Sequence, residues 1–538
     1  MMTVINYIKN KLENKVSLLF YALLILHLIP LFFGKYFLTQ DGPSHLYNAF
    51  VFKDILFHSH SLYANYFDIN NVPNPNWLIT VFYSLLMLIF PAFVVEKIFL
   101  VLYVLLLPLS FRYLIKQINP NSDFITLLIF PLVYNITLYL GFFNFCFSII
   151  LFFYATGYWL KYQGLFSVKK FLVFVILVTL TYFSHPVSFV ILCMMIGVFM
   201  IAALMQDIQN RNRAFMRFFK RIFVFLIALL PAIYFFLKFF KQSGTAISFA
   251  SRDIKTYLAD ALDGNLLSFP VKNDLAFCAI FVAILILFFA FNLYIRIKDK
   301  RPQKLDILYL FLVLFSILTF ISPEEIAGGS VILIRLVLYS NIIAIICISA
   351  ASYPEKVKQY STYIIFVFAL CWLGFKSYHF QKTHENLAEI MSIGKNISTS
   401  KTLLPFTIGE ANSDSSPLDT IRDIDINVYL HAAMYICAEK RLVCLSNYEA
   451  SQSYFPLKWK FGRDPSFYFP ETGEMLKDSS ISSYKAKVGT WPDYILIWDE
   501  TGHVADRKAL IKEMVKNYTL EQIQSNNKVA LYRKNTRI

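Results

Sequence analysis

Charge is what this chain has least of. Asp, Glu, Lys and Arg make up 16% of its 538 residues, against about 25% in soluble globular domains. Glycine (17) and proline (20) are also sparse, which excludes a collagen-like repeat and a disordered chain. Of the seven cysteines, five lie in apolar runs, where packing is their expected role, and no Cys/His spacing resembles a zinc site. The C-terminal third lacks a phosphate-binding glycine loop, a nucleophile elbow and a metal motif. What is present is apolar: 57% of the residues are hydrophobic, with 55 Phe and 33 Tyr. Such a composition excludes an ordinary cytosolic enzyme.

The apolar content comes in runs long enough to cross about 30 Å of hydrocarbon as helices, not in the short alternating segments of a β-barrel. The fold class expected is a polytopic α-helical membrane protein of about 11 spans, at 16–34, 97–114, 123–139, 142–160, 171–184, 187–205, 222–239, 274–295, 305–321, 332–351 and 360–377. The runs stop near Lys376. Residues 1–377, the expected transmembrane domain, carry 30 basic and 16 acidic residues, net +14; residues 378–538 carry 20 and 19, net +1. The positive charge therefore belongs to the membrane part and is not a nucleic-acid footprint. The first run follows Lys9, Lys11 and Lys15 and lacks a small-residue cleavage site, so it reads as a retained helix with its N-terminus inside. Alternating from there, the N-terminus, 115–122 with Arg112, 161–170, 206–221, 296–304 and 352–359 fall inside and hold 20 of the 30 basic residues, as the positive-inside bias requires. The stretch Trp77–Phe90 would reverse every later loop if it crossed, so it is expected as an interfacial or re-entrant helix. Ser184-His185-Pro186 reads either as a turn at the outer face or as a kink inside the membrane.

Residues 378–538 are expected outside, as an α/β domain with strands at 402–408, 442–445, 494–498 and 529–533 and helices at 426–441 and 506–516. Tyr454–Phe469 is dense in aromatics, as domain core or as an interface. Cys437 and Cys444 stand where oxidation is possible, bonded or free.

The chemistry is expected in the outer loop 35–96. Asp41 follows the first span, and Pro43 suits the first turn of a helix. Leu46, Ala49, Phe50, Phe52, Ile55 and Leu56 then form an apolar stripe, so an amphipathic helix on the outer membrane surface is expected, with Asp41 at its start. Asp41 is either that helix's cap or a functional acid. Arg335 lies inside the outer end of an apolar run, where a charge is costly unless paired, with Glu324 or Glu325, or facing a polar cavity. Lys238, Lys241, Arg252 and Lys255 flank the long outer loop 240–273, as a phosphate clamp or as snorkelling side chains. His45 lies one turn after Asp41, and His185 faces either a cavity or the interface.

The order of these features resembles the GT-C superfamily of integral-membrane glycosyltransferases. Asp41-Gly42-Pro43-Ser44-His45-Leu46-Tyr47-Asn48 occupies the place of the family's acidic motif. Pro73-Asn74-Pro75-Asn76-Trp77-Leu78 is similar to its proline-rich approach to a second juxtamembrane helix. Gly141-Phe142-Phe143-Asn144-Phe145 resembles a segment of bacterial members. The resemblance is architectural and covers the whole chain. It implies transfer of a sugar from a polyprenyl-phosphate donor to a glycan, lipid or protein acceptor, at the outer face of a bacterial cytoplasmic membrane. Asp41 would be the catalytic base. Arg335 would balance the leaving phosphate, with Arg252, His45 and His185 as further substrate-binding residues. The turn near Tyr139–Phe143 lacks the second acid that many metal-dependent members carry, so a divalent metal is possible but not favoured. Two other classes remain open: a transporter or flippase of lipid-linked sugars, although no internal repeat of spans is visible, and a noncatalytic envelope-assembly factor.

Overall fold

The computed structural model of the chain describes residues 2–58, 60–71, 73–163, 166–210, 213–243, 247–249, 253–263, 267, 274–299, 305–326, 329–408, 427–469, 480–499, 512, 514, 516–524 and 526–535. The chain divides into two compact units. The first comprises Met1–Pro30, Leu100–Thr137 and Asn144–Tyr378; the second comprises Leu31–Phe99, Leu138–Phe143 and His379–Ile538.

The first unit is helical. Among the described residues, nine helices are long and apolar enough to cross a membrane by length and composition: Asn14–Phe32, Ala92–Ile118, Pro120–Tyr139, Phe143–Tyr162, Pro186–Gln209, Ala214–Phe239, Asp274–Lys298, Ile332–Ser349 and Glu355–Asn396. The chain is thus a polytopic helical membrane protein. Two further expected spans are also helical but shorter, Val168–Ser184 with 17 residues and Ile307–Phe320 with 14. The burial pattern fits an apolar solvent. Ile332–Ser349 is 78% buried, whereas Ala214–Phe239 is 28% buried and turns Leu226, Leu230, Tyr234 and Leu237 outward. In water that face would expose a large apolar patch; in hydrocarbon it is solvated. At 184–186 the helix breaks: His185 is extended (φ −160°, ψ 130°) and Pro186 opens a new helix, where its missing N–H costs nothing.

Contacts tie together the ends of these helices. Arg112 donates to Asp123 (2.8 Å) and to Ser17 (2.7 Å). Asn119 donates to the carbonyls of Ser349 (3.2 Å) and Ala351 (2.9 Å). Asp207 accepts from Arg217 and Arg221, so one acid offsets part of the basic cluster.

Nine strands form among the described residues: β1 (Phe67–Ile69), β2 (Ile247–Ser248), β3 (Glu325–Ile326), β4 (Thr402–Ile408), β5 (Val443–Cys444), β6 (Leu457–Trp459), β7 (Tyr494–Asp499), β8 (Tyr518–Ile523) and β9 (Val529–Lys534). In the first unit β2 and β3 pair antiparallel, Ile247 opposite Ile326. The second unit is built on a five-stranded sheet in the order β5-β4-β7-β9-β8. β5, β4 and β7 are parallel; β9 runs antiparallel to β7, and β8 antiparallel to β9. β4 and β7 are buried along almost their whole length, which is why they read as unbroken apolar runs.

The expected helix 426–441 is shortened to Ala433–Lys440. Asn427 Oδ1 accepts from the Tyr429 N–H at 2.9 Å, an Asx turn that competes with a helical start. Arg441, with φ 56°, ends the helix. The helix expected at 506–516 lies largely outside the described residues. Cys437 and Cys444 are buried free thiols.

The first loop folds with the tail, and this corrects the expected surface helix. Gly42–Phe57 is a helix, but it is buried nearly all round, from Gly42 to Ala49 without a break. It packs against Leu78–Leu86 and Ala433–Lys440. The apolar stripe did not reveal this because one of the two covering helices, Ala433–Lys440, lies some 390 positions away in sequence. Tyr47 Oη donates to the Leu442 carbonyl (3.0 Å) and accepts from the Cys444 N–H (2.9 Å). Asn48 and Asn447 exchange side-chain hydrogen bonds at 3.1 and 2.8 Å. Arg441 donates to Asp54 at 2.7 Å, and β1 pairs with β6. Leu78–Leu86 has nine residues, about 13 Å of helix, too short to cross. Its Tyr83 is buried while Leu85, Leu88, Ile89 and Phe90 beside it are exposed.

Candidate functional site

Asp41 stands immediately before the helix Gly42–Phe57, with φ −95° and ψ −10°, and its side chain makes no capping hydrogen bond. The cap is supplied by Thr39, whose Oγ1 accepts from the Gly42 N–H at 3.1 Å. The Asp41 carboxylate therefore does not act as the helix cap.

The segment 138–143 fixes the Asp41 backbone. Gln40 N–H donates to the Tyr139 carbonyl (2.9 Å) and Asp41 N–H to that of Leu140 (3.1 Å). Gly141 has φ +77°, and a Cβ there would lie 2.5 Å from the Gly42 nitrogen. Only glycine meets both demands, positive φ and close approach. The sequence motif that begins at Gly141 is thus brought against the acidic motif.

Four titratable side chains gather at this point, all buried: Asp41, His45, His431 and Glu449. His431 Nε2 lies 3.7 Å from Asp41 Oδ1, and its ring stacks on Tyr448 at 4.8 Å. Its Nδ1 has no hydrogen-bond partner among the described residues. His45 Nδ1 lies 2.8 Å from Glu449 Oε1. Phe143 and Phe455 flank His45 at 5.8 and 6.0 Å.

The two imidazoles are shifted in opposite directions. Burial opposes protonation of His45, but the Glu449 carboxylate, with Asp41 and the Gly141 carbonyl, outweighs it and raises its pKa above the ordinary value. Burial, reinforced by the His45 cation, pushes His431 down to about 3. Burial thus keeps His431 neutral at neutral pH beside the Asp41 side chain, with the His45–Glu449 contact behind them. The arrangement can accept a proton from a hydroxyl at Asp41 while His431 holds the same hydroxyl by a hydrogen bond. Among the described residues no group of three or more His, Cys, Asp or Glu side chains is arranged to hold a metal ion.

Of the expected residues, Asp41 and His45 meet here. Arg335 and His185 meet in the first unit. The Arg335 guanidinium lies 5.8 Å from the Phe145 ring centre and donates to the Ser330 carbonyl. His185 packs edge-on against the same Phe145 ring at 5.1 Å, and its Nδ1 accepts from the Val187 N–H. Arg252 lies outside the described residues. Lys238 lies 4.7 Å from the Tyr234 ring on its own helix, which fits a snorkelling side chain. His431, Glu449 and Tyr448 were not singled out from the sequence. No local spacing marks them; only contact with the first loop does.

No protein-family model and no curated protein matches the chain.

Proposed function

We propose that the protein is a membrane glycosyltransferase that moves a sugar from a polyprenyl-phosphate donor to an acceptor hydroxyl, with Asp41 as general base. The observation that carries this reading is the Asp41 carboxylate: buried, released from helix capping by Thr39, held by 138–141 and facing a neutral His431. In the reaction the acceptor O–H gives its proton to Asp41 as its oxygen attacks the anomeric carbon. The bond from that carbon to the phosphate oxygen breaks, and the lipid phosphate leaves with the electron pair. The resemblance to GT-C enzymes assigns a cation to the growing phosphate charge, for which Arg335 is the candidate. The architectural resemblance of the chain to GT-C enzymes supports the donor class.

Eleven spans, N-terminus inside and C-terminal residues outside in a bacterial cytoplasmic membrane, complete the reading. The β2–β3 ladder supports the parity: residues 247–248 and 325–326 can pair only on one side of a bilayer. Asp274–Asp299 and the short Ile307–Phe320 then form one excursion and return. The bonds from Asn119 to Ser349 and Ala351 support a shared side for two loops expected inside.

The test is Asp41→Asn in purified protein supplied with lipid-linked sugar. Because the side chain caps nothing, the melting temperature is expected to stay near wild type. Turnover is expected to fall by about 10²-fold or more, the usual share of a general base. Turnover within a few-fold of wild type would remove Asp41 as the base and the reading with it.

A further inference from the structure

The second unit contains two of the chain's seven cysteines, Cys437 and Cys444, with six residues between them. Cys437 lies in the last turn of the helix Ala433–Lys440. Its carbonyl accepts from the Arg441 N–H and, at 2.9 Å, from the Leu442 N–H, and Arg441 is left-handed with φ 56°. That helix ending turns the chain back on itself. β5 then returns Cys444 until the two thiols meet in a side-chain hydrogen bond. Both residues are fully buried, and both are free thiols in this structure. The Leu442 carbonyl and the Cys444 N–H are the groups that hold Tyr47 Oη. The short loop closed by the two cysteines is therefore the part of the tail that grips the helix after Asp41.

We propose that Cys437 and Cys444 are joined by a disulfide as the protein folds, which staples the end of the helix Ala433–Lys440 to β5. The inference rests on the reading that residues 378–538 lie outside, where disulfides persist, and it is independent of the assignment of Asp41. A buried cysteine can pack as a small apolar residue. Packing alone does not place the two cysteines of a unit against each other, whereas a disulfide requires that proximity. Because both are buried once the tail has docked, oxidation belongs to folding. A thiolate at one cysteine attacks a disulfide-bearing oxidoreductase, and one sulfur of that oxidant leaves as a thiolate. The second cysteine, also as a thiolate, attacks the first cysteine's sulfur in the mixed disulfide. The intrachain S–S bond forms and the oxidant's other sulfur leaves. Two electrons pass to the oxidant, which departs as a dithiol carrying the two protons that the cysteines gave up.

The experiment uses the full chain from bacterial membranes, with free thiols trapped by N-ethylmaleimide under denaturing conditions and peptides mapped without reduction. Lys440 and Arg441 lie between the cysteines, so trypsin separates them and a bond shows as two peptides held together until reductant is added. That joined pair is the expected result. Recovery of the two peptides singly, with maleimide on each sulfur, would overturn the proposal, as would a bond from either to another cysteine. A thermal readout stands beside the map. Wild type made in cells that lack a disulfide-forming oxidase should melt several degrees below wild type from normal cells, while Cys437→Ala/Cys444→Ala should melt alike from both. Equal wild-type melting from the two sources would also count against the bond. Sidedness is read separately, by external labelling of Lys487→Cys. Maleimide on both native cysteines in a chain labelled at 487 overturns the bond alone; with position 487 protected, the external placement of the tail falls with it.

Discussion

His45 and His431 sit in one cluster and titrate in opposite senses. His431 is held down to about 3, below its unfolded value of about 6.5. Unfolding therefore takes up a proton below pH ~6.5, so the stability His431 contributes is full above that pH and is lost as pH falls toward 3. The slope approaches about 1.4 kcal/mol per pH unit for one fully buried group. The raised pKa of His45 acts in reverse: its contribution is present below pH ~6.5 and is lost as pH rises through the raised value. Melting temperatures of wild type and His431→Gln, compared between pH 6.5 and 4.5, are expected to converge as the acid is added. Parallel curves would show that His431 is not held neutral. Asp41 and His45 were legible in the sequence because both stand in one short segment after an apolar run. His431 and Glu449 were not, since a single buried imidazole or carboxylate has no period and no spacing to mark it.

Gly141 carries the clearest consequence among the elements. An alanine there must hold φ near +77° and place its Cβ 2.5 Å from the Gly42 nitrogen. The left-handed conformation alone costs about 1–2 kcal/mol, and the clash adds to it. Gly141→Ala is expected to lower the melting temperature and turnover together, unlike Asp41→Asn, which lowers turnover alone. Gly197→Ala meets nothing within 4 Å and should leave both unchanged, which makes it the control in the same thermal and activity assays. Elements buried on both faces, such as β4 and β7, were visible as apolar runs. β8 was missed because it is an edge strand with Thr519, Leu520 and Glu521 all exposed, and its short alternation breaks at the irregularity between Leu520 and Gln522. The Gly42–Phe57 helix was placed correctly but given the wrong surroundings: local pattern fixes a helix, while the partner of its polar face can come from anywhere in the chain.

At the scale of the molecule, the second unit is assembled from chain segments far apart in sequence, and residues 379–538 do not contain a whole domain. Expressed alone, they would lack the partner of β6, the Asp54 acceptor of Arg441 and the Tyr47 hydroxyl between Leu442 and Cys444. Such a fragment is expected to aggregate or give poorly dispersed amide spectra, and co-expression of residues 31–99 to improve both. A well-dispersed spectrum from the fragment alone would show that the loop is dispensable. Sidedness is checked separately: a cysteine introduced in 213–221 is expected to resist an impermeant thiol reagent in intact cells, and one at 487 to react. The same discontinuity sets a clock. Asp41 leaves the ribosome early, but His431 follows 390 residues later, roughly 20–80 s at ordinary elongation rates. Until then the carboxylate has no imidazole beside it, so on the proposed reading a nascent or truncated chain already threaded into the bilayer carries an incomplete centre, and turnover would begin only after His431 has been made.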